Sequence, residues 1–142
     1  MFQVLHSSAG AGKTHALVKH YLGLALASDD AGAYVRILAL TFTNKAANEM
    51  RERILRYLRG LAGDAPPNAA LTDVRDTIAA RHGIGPDVVR ERAARTLTHM
   101  LHHWPQLAVS TIDAFTRRVV MPFARDLGLD SELRMTTEEP YY

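Results

Sequence analysis

The chain has 142 residues, 47% hydrophobic and 23% charged, which is enough to bury one core and suits one domain of ordinary size. A formal charge of +2 is too small to specify a nucleic-acid partner by itself. The absence of cysteine excludes a disulfide framework and thiolate metal sites, and no apolar run approaches the ~20 residues of a membrane span.

The first feature is a short apolar run (Phe2, Val4, Leu5), predicted as a strand, followed by Ser7-Ser8-Ala9-Gly10-Ala11-Gly12-Lys13-Thr14. Strand, glycine-bearing turn, Gly-Lys-Thr and helix is the layout of a phosphate-binding loop. Glycines let successive N–H groups curl inward onto an anion, and the helix N-terminus adds unpaired donors. Lys13 supplies a full charge where the β- and γ-phosphates of a nucleotide would lie, and the Thr14 hydroxyl can ligate Mg²⁺. Ser7 stands where the usual pattern has its first glycine, so the loop is a variant. The bland alternative is an ordinary strand-to-helix turn with an exposed lysine. The loop begins too close to Met1 for a signal peptide, and a cytoplasmic protein is the expectation.

A helix is predicted from Thr14 to Ser28 on the spacing of Leu17, Tyr21, Leu24 and Ala25. The nearly unbroken apolar run Val35 to Leu40 predicts a strand covered on both faces. Thr43 or Asn44 then caps a helix with Ala47, Met50, Ile54, Leu58 and Leu61 on one face and most of its arginines on the other. From Lys45 to Arg59 five basic residues stand against two acidic ones, whereas the last fifteen residues are acidic. The helix stops near Gly60 to Gly63, and Pro66-Pro67 marks a loop.

A short helix around Leu71 to Arg81 is broken by Gly83-Ile84-Gly85, and a longer one starts at Pro86. Its predicted stripe is Val89, Ala93, Leu97, Met100 and Trp104, with Pro105 ending it. Gln106 to Thr111 reads as a third strand. Ile112 to Leu127 reads as a helix with Ile112, Phe115, Val119 and Phe123 on one side, kinked or split at Pro122 and closed by Gly128. Leu133 to Met135 is a short possible strand. The alternation predicts an α/β fold with parallel strands and right-handed crossovers.

Three segments carry a family resemblance. Leu40-Thr41-Phe42-Thr43-Asn44-Lys45-Ala46-Ala47-Asn48-Glu49-Met50-Arg51 resembles the second motif of UvrD/Rep-type superfamily 1 helicases. Ser8 to Thr14 resembles their first motif, and Val109-Ser110-Thr111-Ile112-Asp113-Ala114-Phe115 their Thr-x-His-Ser-Phe-like segment. The Ser-Ala-Gly form of the loop, with little chain before it, is most similar to the RecB/AddA-like helicase–nucleases of DNA recombination and repair.

The resemblance implies a RecA-like, three-layer P-loop fold with a parallel sheet, incomplete here, that hydrolyses ATP with Mg²⁺ and moves 3′ to 5′ on single-stranded DNA. Ser8, Ala9, Gly10, Ala11, Gly12, Lys13 and Thr14 carry over to the nucleotide, with Lys13 catalytic and Thr14 on Mg²⁺. Thr41, Phe42, Thr43, Asn44, Ser110, Thr111 and Phe115 carry over to DNA. Hydroxyls and helix N-termini suit phosphate oxygens, and aromatic rings suit stacking on unpaired bases. The bland reading makes Phe42 and Phe115 core residues and Asn44 a helix cap. A second subunit of a helicase–nuclease complex is an implied partner; a membrane is not.

The organisation expected is a loop and second-motif unit over 1–62, a helical insertion between the second and third strands over 63–106, and a third strand, helix and tail over 107–142. Asp113 stands where many family members have His, and a carboxylate there repels phosphate. No glutamine-bearing adenine motif precedes the loop. No apolar strand runs into an Asp-Glu pair, and the arginine-bearing motifs of a second motor domain are missing. Phosphoryl transfer depends on such positioned charge, so the chain is expected to be an N-terminal piece of a longer enzyme and inactive alone. The competing readings are a small P-loop kinase, which leaves Thr41 to Arg51 unexplained, and a non-catalytic nucleotide- or DNA-binding module. His99, His102 and His103 lack neighbouring carboxylates and make a poor metal set. His6 and His15 flank the loop and are weak candidates for sensing phosphate, and the arginines at 51, 53, 56 and 59 are first of all a solvated helix face.

Overall fold

The computed structural model describes residues 11–128. The expected first strand, Ser7 to Gly10 of the loop, and the possible strand at Leu133 to Met135 lie outside them. The described elements run α1 (Ala11–Ala25), β1 (Ala39–Thr41), α2 (Asn44–Ala62), α3 (Ala69–His82), α4 (Pro86–His102), β2 (Val109–Thr111) and α5 (Ile112–Asp126), with 3₁₀ turns at Ala33–Arg36 and Trp104–Gln106. Among the described residues no helix is long and apolar enough to cross a membrane.

Local chemistry sets the boundaries of the middle helices. Thr43 is the N-cap of α2, its hydroxyl accepting from the Ala46 N–H at 3.1 Å. Gly63 ends α2 at φ 98°, a left-handed conformation that favours glycine. The Asn68 carboxamide caps α3 by accepting from the Leu71 N–H at 2.9 Å, and Gly83 closes that helix at φ 62°. Pro86 opens α4, where its missing N–H leaves no bond unmade.

The predicted stripe of α2 is the spine of the core: Ala47, Met50, Ile54, Leu58 and Leu61 are all buried. α2 packs chiefly on α4, which contributes Val89, Ala93, Leu97 and Met100. α1 adds Val18 and Leu22, and α3 adds Val74 and Ile78. Each of the larger side chains among them (Val, Leu, Ile, Met) contributes about 1.5–3 kcal/mol by leaving water, and the alanines less.

The described sheet is a single parallel pair. Ala39 stands opposite Val109, Leu40 opposite Ser110 and Thr41 opposite Thr111. The connection from β1 to β2 runs through α2, α3 and α4, so the fold is mostly helical around a small parallel sheet.

Several local expectations are corrected. Val35 to Leu40 is not one strand. Tyr34 is buried in a 3₁₀ turn and reaches His99, with Asp30 tying the approach through the Gly32 N–H and the Arg36 guanidinium. These tertiary and turn bonds take the backbone away from a ladder, and β1 keeps only Ala39–Thr41. Nor is that strand covered on both faces. Ala39 is buried, while Leu38 and Leu40 are 45% and 39% exposed.

Trp104 does not extend the α4 stripe. It sits in the 3₁₀ turn and is part-exposed, because Pro105 disfavours helical backbone at the residue before it. α5 is not split at Pro122 but continues from Ile112 to Asp126, because proline removes only one rung of the ladder. Ile112, Val119 and Phe123 on that helix are exposed rather than packed into this core.

Candidate functional site

Gly12, Lys13 and Thr14 occupy the first turn of α1. Among the described residues nothing lies within 4 Å of where a Gly12 side chain would begin; Lys13 is exposed and Thr14 half-buried. No acidic residue lies in that turn, and among the described residues Lys13 has no ion-pair partner. An exposed ammonium, a hydroxyl and helix-end N–H groups without a competing carboxylate fit a nucleotide's phosphates and Mg²⁺. Ser8, Ala9 and Gly10 lie outside the described residues.

The parallel pair brings the other two segments together. Thr41 and Thr111 are register partners at the carboxyl ends of their strands, where ligands bind in open α/β sheets. Thr41 Oγ1 donates to the Thr43 carbonyl at 3.1 Å. Thr111 Oγ1 accepts from the Ala114 N–H at 3.2 Å and so caps α5 as Thr43 caps α2. Ser110 Oγ donates to the Thr111 carbonyl at 3.3 Å. Two capped helix N-termini therefore open at the same end of the sheet.

The hydroxyls thus have structural work that the sequence reading did not assign to most of them. A capping hydroxyl accepts through oxygen and keeps its proton to donate. The rings differ. Phe42 is 88% exposed and is no core residue; Phe115 is half-buried. Asn44 is exposed as the first residue of α2.

Arg51 was expected on the solvated face and is instead turned inward. Its guanidinium donates to the Val109 carbonyl of β2 and to Asn48 Oδ1, the latter at 2.7 Å. It ties α2 to the strand that carries Ser110 and Thr111. The signal for it was that the helicase-like segment extends through Arg51, next to the buried stripe.

His15 is held by two other helices. Its Nδ1 lies 2.8 Å from the Tyr57 hydroxyl, and its Nε2 3.2 Å from Asp73 Oδ2. Lys19 donates to the same Asp73 oxygen at 3.0 Å. Lys19 first and His15 second hold the Asp73 carboxyl below its ordinary pKa. The histidines near the end of α4 make local bonds: His102 Nδ1 with the Thr98 carbonyl and His103 Nδ1 with the His99 carbonyl. Among the described residues no three His, Cys, Asp or Glu side chains are grouped to hold a metal.

Residues 3–141 match the family described as the UvrD/REP helicase N-terminal domain. The chain belongs to that family. It is 35% identical over 89 residues to an ATP-dependent helicase/nuclease subunit of Thermoanaerobacter sp. (strain X514), covering 59% of this chain and 7% of that protein. It is 32% identical over 141 residues to the RecBCD enzyme subunit RecB of Mycobacterium tuberculosis (strain H37Rv), covering 92% of this chain and 12% of that protein. The chain therefore spans only a small part of the length of these relatives. No solved structure matches it.

Proposed function

We propose that the chain is the N-terminal, ATP-binding part of an ATP-dependent DNA helicase of repair and recombination that moves 3′ to 5′ on single strands in the cytoplasm. The observation that carries this reading is the Thr41–Thr111 pairing, which joins the two DNA-facing segments at one end of the sheet, beside an exposed Phe42. Residues 1–62 are the loop and track-gripping unit of a RecA-like domain, 63–106 an insertion, and 107–142 the return to the sheet.

In this reading Ser8 to Gly12 wrap the phosphates with backbone N–H groups, Lys13 neutralises the β- and γ-oxygens, and Thr14 ligates the metal. Thr14 would hold Mg²⁺, which would offset the charge that develops on the phosphates during phosphoryl transfer. Phe42 offers a face to one unpaired base, while Asn44, the helix N-termini and the hydroxyls of Thr41, Thr43, Ser110 and Thr111 meet backbone phosphates. Phe115, half-buried in the first turn of α5, is assigned to the same DNA surface. A second subunit of a helicase–nuclease assembly is the proposed partner.

The 142-residue polypeptide supplies the cradle but no strand ending in Asp-Glu, so alone it should not turn over ATP. The test is DNA-stimulated ATP hydrolysis by the full-length helicase, which Lys13→Ala should reduce to background with folding retained. Transfer of phosphate to a small acceptor instead would favour a kinase, and stimulation by DNA that survives Lys13→Ala would remove the proposed site.

A further inference from the structure

The turns of α1 that carry Lys13 and Thr14 are poorly packed. Gly12 to Leu17 are exposed or half-buried, and the first fully buried side chain of the helix is Val18. Hydrophobic burial therefore holds α1 from Val18 onward and leaves its N-terminal turns to polar contacts. Among the described residues, every side-chain hydrogen bond from 12–17 to another element passes through one residue, His15.

The imidazole is held at both ends and by two different helices. Asp73 on α3 is ionised and can only accept, so Nε2 carries a proton and donates to it. In the neutral ring Nδ1 is then an acceptor for the Tyr57 hydroxyl on α2. Lys19, one turn along α1, donates to the same carboxylate oxygen and fixes the far side of the bridge. The His15 and Tyr57 rings also meet at 5.8 Å between centroids, tilted by 55°. Through this ring the helix bearing Lys13 is joined to the helix whose N-terminus follows Phe42.

We propose that His15 is a positioning residue for the nucleotide site: it locks the first turns of α1 against α2 and α3, so that Lys13 and Thr14 keep one orientation before a triphosphate arrives. The proposal rests on the reading of Lys13 and Thr14 as nucleotide ligands. Its physical content is preorganisation, since a loop already ordered loses less entropy on binding. His15 acts through its neighbours and does not touch phosphate, because both its nitrogens are engaged elsewhere.

The test uses the full-length helicase with Mg²⁺ and a fluorescent ATP analogue, without DNA, together with steady-state ATPase kinetics and amide hydrogen exchange in the absence of nucleotide. His15→Leu removes two hydrogen bonds and should weaken nucleotide binding about tenfold, raising KM with little change in kcat. Tyr57→Phe should weaken it about threefold. His15→Gln, whose amide can accept from Tyr57 and donate to Asp73, should restore most of the affinity. Exchange at residues 15–18 should accelerate in His15→Leu while residues 20–25 keep their protection. Unchanged affinity in His15→Leu, no rescue by Gln, or unaltered exchange at 15–18 overturns the proposal. Lys13→Ala separates the two ideas: if it leaves nucleotide binding intact, the nucleotide site itself is wrong and the proposal falls with it. If Lys13→Ala abolishes binding and His15→Leu does not weaken it, only the positioning role fails.

Discussion

Thr41 and Thr111 stand opposite each other at the carboxyl ends of two parallel strands, and the segment beginning at each leads directly into a helix capped by a threonine hydroxyl. Two motifs far apart in the sequence thereby become one surface, with Phe42 projecting beside it.

Phe42 is 88% exposed, so its truncation should leave stability within about 0.5 kcal/mol. If the ring stacks on an unpaired base, Phe42→Ala should weaken single-strand binding by about 1–3 kcal/mol. Fluorescence anisotropy with a labelled oligonucleotide, beside a thermal melt, reads both quantities. Unchanged affinity would remove Phe42 from the DNA surface.

Arg51 ties α2 to the Val109 carbonyl. Replacing it with Met keeps much of the stem and deletes the charged donor. Arg51→Met should cost about 1.5–3 kcal/mol, seen as a lower urea midpoint at unchanged slope. A loss no larger than that of Arg59→Met, an exposed position on the same helix, would show that the bond contributes nothing.

Gly60 and Leu71 form a close contact between α2 and α3. A Cβ at residue 60 would lie 2.5 and 2.6 Å from the two Leu71 methyls. Gly60→Ala gains helix propensity of about 0.5–1 kcal/mol and forces overpacking that costs about 1–3 kcal/mol, for a net loss of up to about 2 kcal/mol. Combined with Leu71→Ala the loss should be less than additive, because the new methyl enters the vacated space. Additivity would show that the two sites do not meet.

Asp30 and Asp73 govern part of the acid response. The Gly32 N–H, then Arg36, holds the Asp30 carboxyl below its ordinary value; Lys19, then His15, does so for Asp73. A folded-state pKa below the unfolded one contributes stability that is present above the ordinary carboxylate range and lost as pH falls through the lowered value. Urea midpoints should therefore decline below about pH 4. Asp30→Asn with Asp73→Asn should flatten that decline, and an identical slope in the double variant would show that other carboxylates control it.

Much of the molecule was legible in the residue order alone. Thr43, Gly63, Gly83 and Pro86 bound their helices because caps and left-handed glycines act over a few residues. The α2 stripe was readable because one apolar face recurs at helical spacing. The helicase-like character was carried by three short segments in order, and the family match agrees with it. What the tertiary structure alone decided was the rest. Val35 to Leu40 had the composition of a buried strand, yet Tyr34 met His99 and bent the chain into a turn. Arg51 had the look of a solvated arginine until β2 supplied a carbonyl for it, and His15, next to Gly12-Lys13-Thr14 in the sequence, has both its nitrogens claimed by Tyr57 and Asp73. In each case the partner lies on an element distant in sequence, and a long polar side chain takes its direction from whichever partner the packed helices bring within reach.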